Sequence, residues 1–185
     1  MSLPQFKSIS HQLPVTDKQW FAIRTQLKCE KKVLQFLELK GIEVYLPIQK
    51  YTRKWGRRIA QVEKPLINNY IFVKITRSDY LSVIDTQFVF GFVKFGDQIL
   101  HIPDREINFI KKVIGEYHDI EVQDEEILAG EEIEIVGGQL TGLKARLVER
   151  KGKNKVLVEL QTIGVGLLLD IDARYIQRTQ KLKLA

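Results

Sequence analysis

Four cations crowd into six positions, Arg53, Lys54, Arg57 and Arg58, with Trp55 among them. Such side chains suit one kind of chemistry: the cations meet phosphate oxygens and the indole stacks on a base. Lys28, Lys31 and Lys32 form a second basic group. The bland alternative for both is solvated surface charge. Bond-making chemistry has less to work with. His11, His101 and His118 are far apart and share no motif, and Cys29 is the only cysteine, so no zinc-ligand spacing exists. No phosphate-cradling glycine motif occurs. Cys29 suits a small apolar position on a packed helix better than a reactive thiolate. Neither an enzyme, a metal nor a cofactor is expected.

The residues that must carry these groups number 185, of which 44% are apolar and 28% charged. That is enough for one ordinary domain or two small ones. No apolar run reaches the length of about 18 residues that a membrane span needs. Residues 1–17 lack the apolar core of a signal peptide and read as a flexible lead-in. A single cysteine excludes an internal disulfide and fits a cytoplasmic protein. Charge is segregated. Residues 1–114 hold 19 basic against 10 acidic side chains, residues 115–132 hold eight acids and no base, and residues 133–185 hold ten bases against five acids. Two basic bodies joined by an acidic connector predict two domains and a polyanion partner.

The pattern of elements agrees. Residues 19–25 alternate as a strand, and Cys29, Val33, Phe36, Leu37 and Lys40 fall at helical spacing before Gly41. Residues 43–47 return to strand. Residues 49–53 and 59–64 read as hairpin arms with the basic cluster at their tip. Lys64-Pro65-Leu66-Ile67-Asn68-Asn69-Tyr70-Ile71-Phe72-Val73 reads as a turn feeding a buried strand. Ser78 is the expected cap of a short helix to about Asp85, residues 89–95 a strand, and Pro103 the start of a helix with Ile107, Ile110 and Ile114 on one face. This is an α+β order, an antiparallel sheet with helices on one face. After the acidic stretch the pattern becomes all-β: strands at 132–136, 144–149, 155–160, 167–171 and 175–178, with turns at Gly137-Gly138 and Lys151-Gly152-Lys153-Asn154, make a small five-stranded barrel.

The order of motifs resembles the NusG family of transcription elongation factors, and more closely its RfaH-type specialised paralogues. The matching pieces are Trp20-Phe21, Glu43-Val44-Tyr45-Leu46-Pro47, the 64–73 segment, Phe92-Val93-Lys94-Phe95-Gly96 and Ile102-Pro103, followed by a KOW-like motif at residues 133–143. The resemblance implies an NGN-type domain over residues 18–115, an acidic linker over 116–127 and a KOW (SH3-like) β-barrel over 128–181. It implies an antitermination factor that binds the clamp helices of the largest RNA polymerase subunit, reaches the second-largest subunit, and suppresses pausing at particular operons such as those for polysaccharide synthesis. The alternatives are a general NusG-type elongation and termination factor, or a ribosome-associated RNA-binding KOW protein.

Residue roles follow by position. Tyr70, Phe72 and Phe95 match aromatic positions that grip the clamp helices in the family. Tyr70 and Phe72 share one strand face while Ile71 and Val73 share the other. The bland alternative is that these aromatics are core. Asp79 and Ser82 stand where the RfaH-type paralogue carries a polar motif toward the second subunit, but Asp-Tyr-Leu-Ser departs from that pattern. Lys28, Lys31, Lys32, Arg53, Lys54, Trp55, Arg57 and Arg58 are the groups expected on upstream or non-template DNA. The base-reading residues of the RfaH-type factor are not reproduced, since Phe36 and Leu39 are apolar. The loop at residues 161–166 lacks the aromatic and arginine expected for Rho. A small-subunit ribosomal protein is the implied barrel partner, and a monomer without membrane contact is expected.

Overall fold

The computed structural model describes residues 10–117, 120–123, 130–150, 153–160 and 162–178. The chain divides into two compact units, Met1–Ile48 with Lys64–Ile107, and Gln49–Glu63 with Asn108–Ala185.

The first unit is built on β1 (Gln19–Thr25), α1 (Glu30–Leu39), β2 (Glu43–Tyr45) and β5 (Tyr70–Ile75). β3 (Ile48–Trp55) and β4 (Arg58–Pro65) intervene as a separate two-stranded hairpin. After β5 come a 3-10 turn (Arg77–Asp79), α2 (Tyr80–Ile84), β6 (Val89–Phe92), the short strands β7 (Lys94–Phe95), β8 (Gln98–Ile99) and β9 (His101–Ile102), and α3 (Asp104–Glu116), which from Asn108 on belongs to the second unit, as do residues Gln49–Glu63 of the hairpin. The sheet runs β2-β5-β1-β6, with β9 also on β1. Its pairings are antiparallel, Phe21 lying opposite Val73 and Ile23 opposite Ile71. These four side chains, with Ile75, meet Val33 and Leu37 of α1 and Tyr80 and Val83 of α2 in one cluster. Alternation explains the strands and a two-residue apolar stripe explains α1. Gly41, at φ +74, ends α1 in the left-handed region.

Three expectations change. Thr76, not Ser78, provides the cap, and it caps the 3-10 turn (Arg77–Asp79) that leads into α2. Thr76 is extended and forms a capping box in which its backbone N and Oγ1 donate to Asp79 Oδ2 at 3.0 and 3.1 Å. Residues 10–17 are not a free lead-in, because Leu13, 2% exposed, belongs to the core cluster. The second face of the sheet is covered in part: Trp20, Ala22 and Phe72 alternate with the first set and are buried, while Arg24 is exposed and Tyr70 half-buried at its end.

The C-terminal part of the second unit is a six-stranded antiparallel sheet in the order β10-β14-β13-β12-β11-β15. Its strands are β10 (Glu121–Gln123), β11 (Glu131–Ile135), β12 (Lys144–Arg150), β13 (Lys153–Leu160), β14 (Val165–Leu169) and β15 (Ile176–Arg178). Five match the sequence pattern; β10 is the addition. It lies inside the acidic stretch expected to be only a connector and pairs with β14, Val122 opposite Leu167. Lys155, 7% exposed, helps hold it there, with Glu121 Oε1 at 3.2 Å and Asp170 Oδ2 at 3.3 Å. Burial alone would lower the pKa of this ammonium; the two carboxylates outweigh it and hold the pKa above its ordinary value. Gly137 has a packing reason: a Cβ there would collide with the Tyr175 ring. Of the expected turn at 151–154, Lys153 and Asn154 instead open β13, while residues 151–152, Gln161 of the 161–166 loop, and connector residues 118–119 and 124–127 lie outside the described residues.

Candidate nucleic-acid and protein-binding surfaces

The basic hairpin forms as its sequence predicts. β-branched and aromatic arms meet at a two-residue turn, with Gly56 at φ +58, and Lys50 Nζ lies 3.6 Å from Glu63 Oε1 across the arms. Arg53, Lys54, Arg57 and Arg58 are brought together at the tip and are all exposed. The side chain of Trp55 lies outside what the structure describes.

Lys28, Lys31 and Lys32 gather separately, where β1 passes into α1, and all three are exposed. The backbone here is unusual. Lys28, Asn69 and Phe88 have φ of +61, +64 and +70, and none is glycine. Thr25 N donates to Asn69 O and Gln26 N to Phe88 O, each at 2.9 Å, so two of these residues meet the end of β1. Glu30, 4% exposed, accepts from Asn69 N at 2.8 Å and braces the corner. Left-handed non-glycine residues concentrate where a site over-determines its backbone. Lys32 Nζ stands 5.6 Å from the Phe88 ring centroid, and Phe88 stacks on Phe36 with centroids 6.4 Å apart.

The expected aromatic grip separates into different environments. Phe72 is 0% exposed, between Ala22 and Tyr45 on the neighbouring strands, its ring stacked on Tyr45 with centroids 6.2 Å apart. It is core here, not surface; alternation assigned it a face but not what covers that face. Tyr70 is half-buried, with the Arg24 guanidinium 5.8 Å from its ring centroid. Phe95 is 80% exposed in its own β7–β8 hairpin, off the sheet that carries Tyr70. Asp79 is engaged in the capping box described above. Ser82 is exposed, and its carbonyl accepts from Lys40 Nζ and Thr86 Oγ1, each at 2.8 Å.

Sequence reasoning missed Arg24, whose signal is a polar residue interrupting an apolar strand. It also missed Phe90, 74% exposed on β6. Among the described residues, no group of three or more histidine, cysteine or carboxylate side chains is placed to hold a metal, and no helix is long and apolar enough to cross a membrane.

Burial pushes the Tyr45 phenol up to about 12. An unfolded tyrosine ionises near pH 10. The folded state therefore resists losing a proton that the unfolded state gives up, and stability falls as pH rises from about 10 to about 12. Lys155 acts in the same direction, since its stabilisation is present below its unfolded pKa and lost as pH rises through the raised folded one. Tyr45→Phe removes only the phenol contribution. The expected result is a shallower alkaline loss than in the parent, by up to about 1.4 kcal/mol per pH unit in that window, measured by urea unfolding from pH 8 to 12. Identical slopes would exclude a buried neutral phenol.

Comparison with known proteins decides the family. A family model described as transcription termination factor nusG matches residues 18–111. The chain belongs to the NusG family. Among NusG relatives, a transcription termination/antitermination protein NusG from Lactococcus lactis subsp. lactis is 25% identical over 176 residues, covering 89% of this chain and 95% of that protein. The Streptococcus pyogenes serotype M1 protein of the same name is 26% identical over 170 residues, covering 84% and 93%. A solved structure titled domain interaction in Thermotoga maritima NusG shares the fold, with a TM-score of 0.57 at 22% identity over 88% of this chain and 98% of that one. Proteins of this family are non-enzymatic transcription factors, and the two relatives are named for transcription termination and antitermination.

Proposed function

We propose that this chain is an elongation and antitermination factor of the specialised, RfaH-like kind. It binds RNA polymerase at the clamp helices of the largest subunit and suppresses pausing at particular operons. Phe95 carries the reading: an aromatic side chain 80% exposed on a hairpin contributes almost nothing to folding and suits a partner's apolar surface. Tyr70 and Arg24 extend the contact, and Phe72 supports it from below. Ser82 is the better candidate for the second-largest subunit, because Asp79 is occupied in its cap. The basic hairpin and the Lys28, Lys31 and Lys32 corner take upstream or non-template DNA by phosphate contact. The functional division is a polymerase-binding domain at 18–115 and a closed KOW barrel at 128–181 with a small-subunit ribosomal protein as partner, joined through 116–127.

The mechanism needs no bond chemistry. A factor that binds the closed clamp better than the open one lowers the population of the open, paused state. A tenfold suppression needs about 1.4 kcal/mol of differential binding. Single-round transcription by bacterial RNA polymerase through a pause and a Rho-dependent terminator tests it. The expected result is shorter pauses and more read-through with the full chain. More termination would favour the general-factor reading, as would be natural for relatives that carry both words in their names. No change in either would overturn both.

A further inference from the structure

We propose that the segment around Gln12 is a strap that positions Phe95, with Gln12 as the positioning residue; this rests on the reading of Phe95 as a polymerase contact. β7 and β8 are two residues each, and among the described residues β8 pairs with β7 alone. A ribbon that small does not hold its own shape in water. The Gln12 side-chain amide supplies part of the missing support. Its Nε2 donates to Asp97 O at 2.9 Å and its Oε1 accepts from Ile99 N at 2.7 Å. One planar amide thus engages two backbone groups, Asp97 of the turn and Ile99 of β8, as a neighbouring strand would.

The segment carrying Gln12 is itself fixed. Leu13 is buried in the core cluster that also contains Ile99. Arg77 Nη2 donates to His11 O at 2.8 Å and to Leu13 O at 3.4 Å, the carbonyls on either side of Gln12. Arg77 N donates to Pro14 O at 2.7 Å. Arg77 also opens the turn that leads through Asp79 to Ser82. The strap, held by Arg77 from more than sixty residues away in sequence, therefore ties the Phe95 hairpin to the second proposed contact. A contact residue held in place before binding does not have its ordering cost deducted from affinity.

The test is a double-mutant cycle on the full chain with core RNA polymerase, using Gln12→Ala, Phe95→Ala and both, alongside thermal melting and hydrogen exchange at the Ile99 amide. Gln12 is exposed, so its alanine variant folds. We expect Gln12→Ala to weaken binding about fivefold, on the scale of one or two hydrogen bonds. We also expect faster Ile99 exchange and no further loss when Gln12→Ala is added to Phe95→Ala. Parent-like binding by Gln12→Ala with faster Ile99 exchange would reduce the strap to a purely structural feature. Additive losses would show that Gln12 does not act through Phe95, and either result would overturn the proposal alone. Parent-like binding by Phe95→Ala would instead remove the polymerase reading of Phe95, and the strap's function with it.

Discussion

Alanine at Phe72 will cost the protein its first sheet, while alanine at Phe95 will leave the fold alone and weaken polymerase binding. The two phenylalanines share a proposed surface in the sequence and occupy opposite environments in the structure. Phe72 is 0% exposed and stacked on Tyr45, with Ala22 across the next strand. Its removal opens a cavity in the middle of the sheet, at about 3–5 kcal/mol. That is a large share of the roughly 5–15 kcal/mol that holds a domain together. At about 4 °C or more per kcal/mol, the melting temperature should fall by at least 12 °C or so. Phe95 is 80% exposed, so Phe95→Ala should melt within about 2 °C of the parent. Its affinity for core RNA polymerase should drop about thirtyfold, the roughly 2 kcal/mol threshold of a contact hot spot. Thermal melting and titration binding on the same samples separate the two. A Phe72→Ala chain that melts like the parent would contradict the packing; a Phe95→Ala chain that binds like the parent would leave polymerase recognition to other residues.

The difference between these residues shows where sequence stops. Alternation in 70–75 places Ile71 and Val73 on one face and Tyr70 and Phe72 on the other, and the structure agrees. It cannot say whether the second face meets water, because that depends on strands and helices far away in sequence. β10 was hidden for a related reason. Glu121, Val122 and Gln123 contain one apolar residue, too few for a period, and their partner strand lies more than forty residues on. The acids that made this stretch look like pure connector include Glu121, which is held by Lys155. The helix cap turned on local detail: Thr76 and Ser78 are both hydroxyl residues, but only Thr76 has a carboxylate three positions later in Asp79. The Gln12 bracket had no local signal at all, since both its partners are backbone groups of a distant hairpin. The elements that were legible, β1, α1, the basic hairpin and β11 to β15, are those whose stability depends mainly on their own periodicity and turns.

The basic hairpin carries the other large effect. Reversing Arg57 and Arg58 to glutamate should weaken binding to a short labelled DNA duplex about 10- to 100-fold at 50 mM salt and flatten its salt dependence. Four cations stand exposed at a hairpin tip whose turn is made by Gly56, so the charge is concentrated in a few residues. If all four meet phosphates, the hairpin contributes about −3.6 to the slope of log affinity against log salt, since each contact contributes about −0.9. Removing two contacts makes the slope shallower by about 1.8, and the new carboxylates repel the duplex besides. Folding should be untouched, because neither arginine is buried and the arms keep the Lys50 and Glu63 ion pair. Anisotropy titrations at 50, 100 and 200 mM salt measure both quantities, and the same reversal at Lys31 and Lys32 tests the other basic corner independently. A solvated tip with no partner predicts an unchanged slope, because charges that never displace counterions from DNA have none to release. A slope that moves only with Lys31 and Lys32 assigns DNA to the strained corner of β1 and leaves the hairpin for a protein surface.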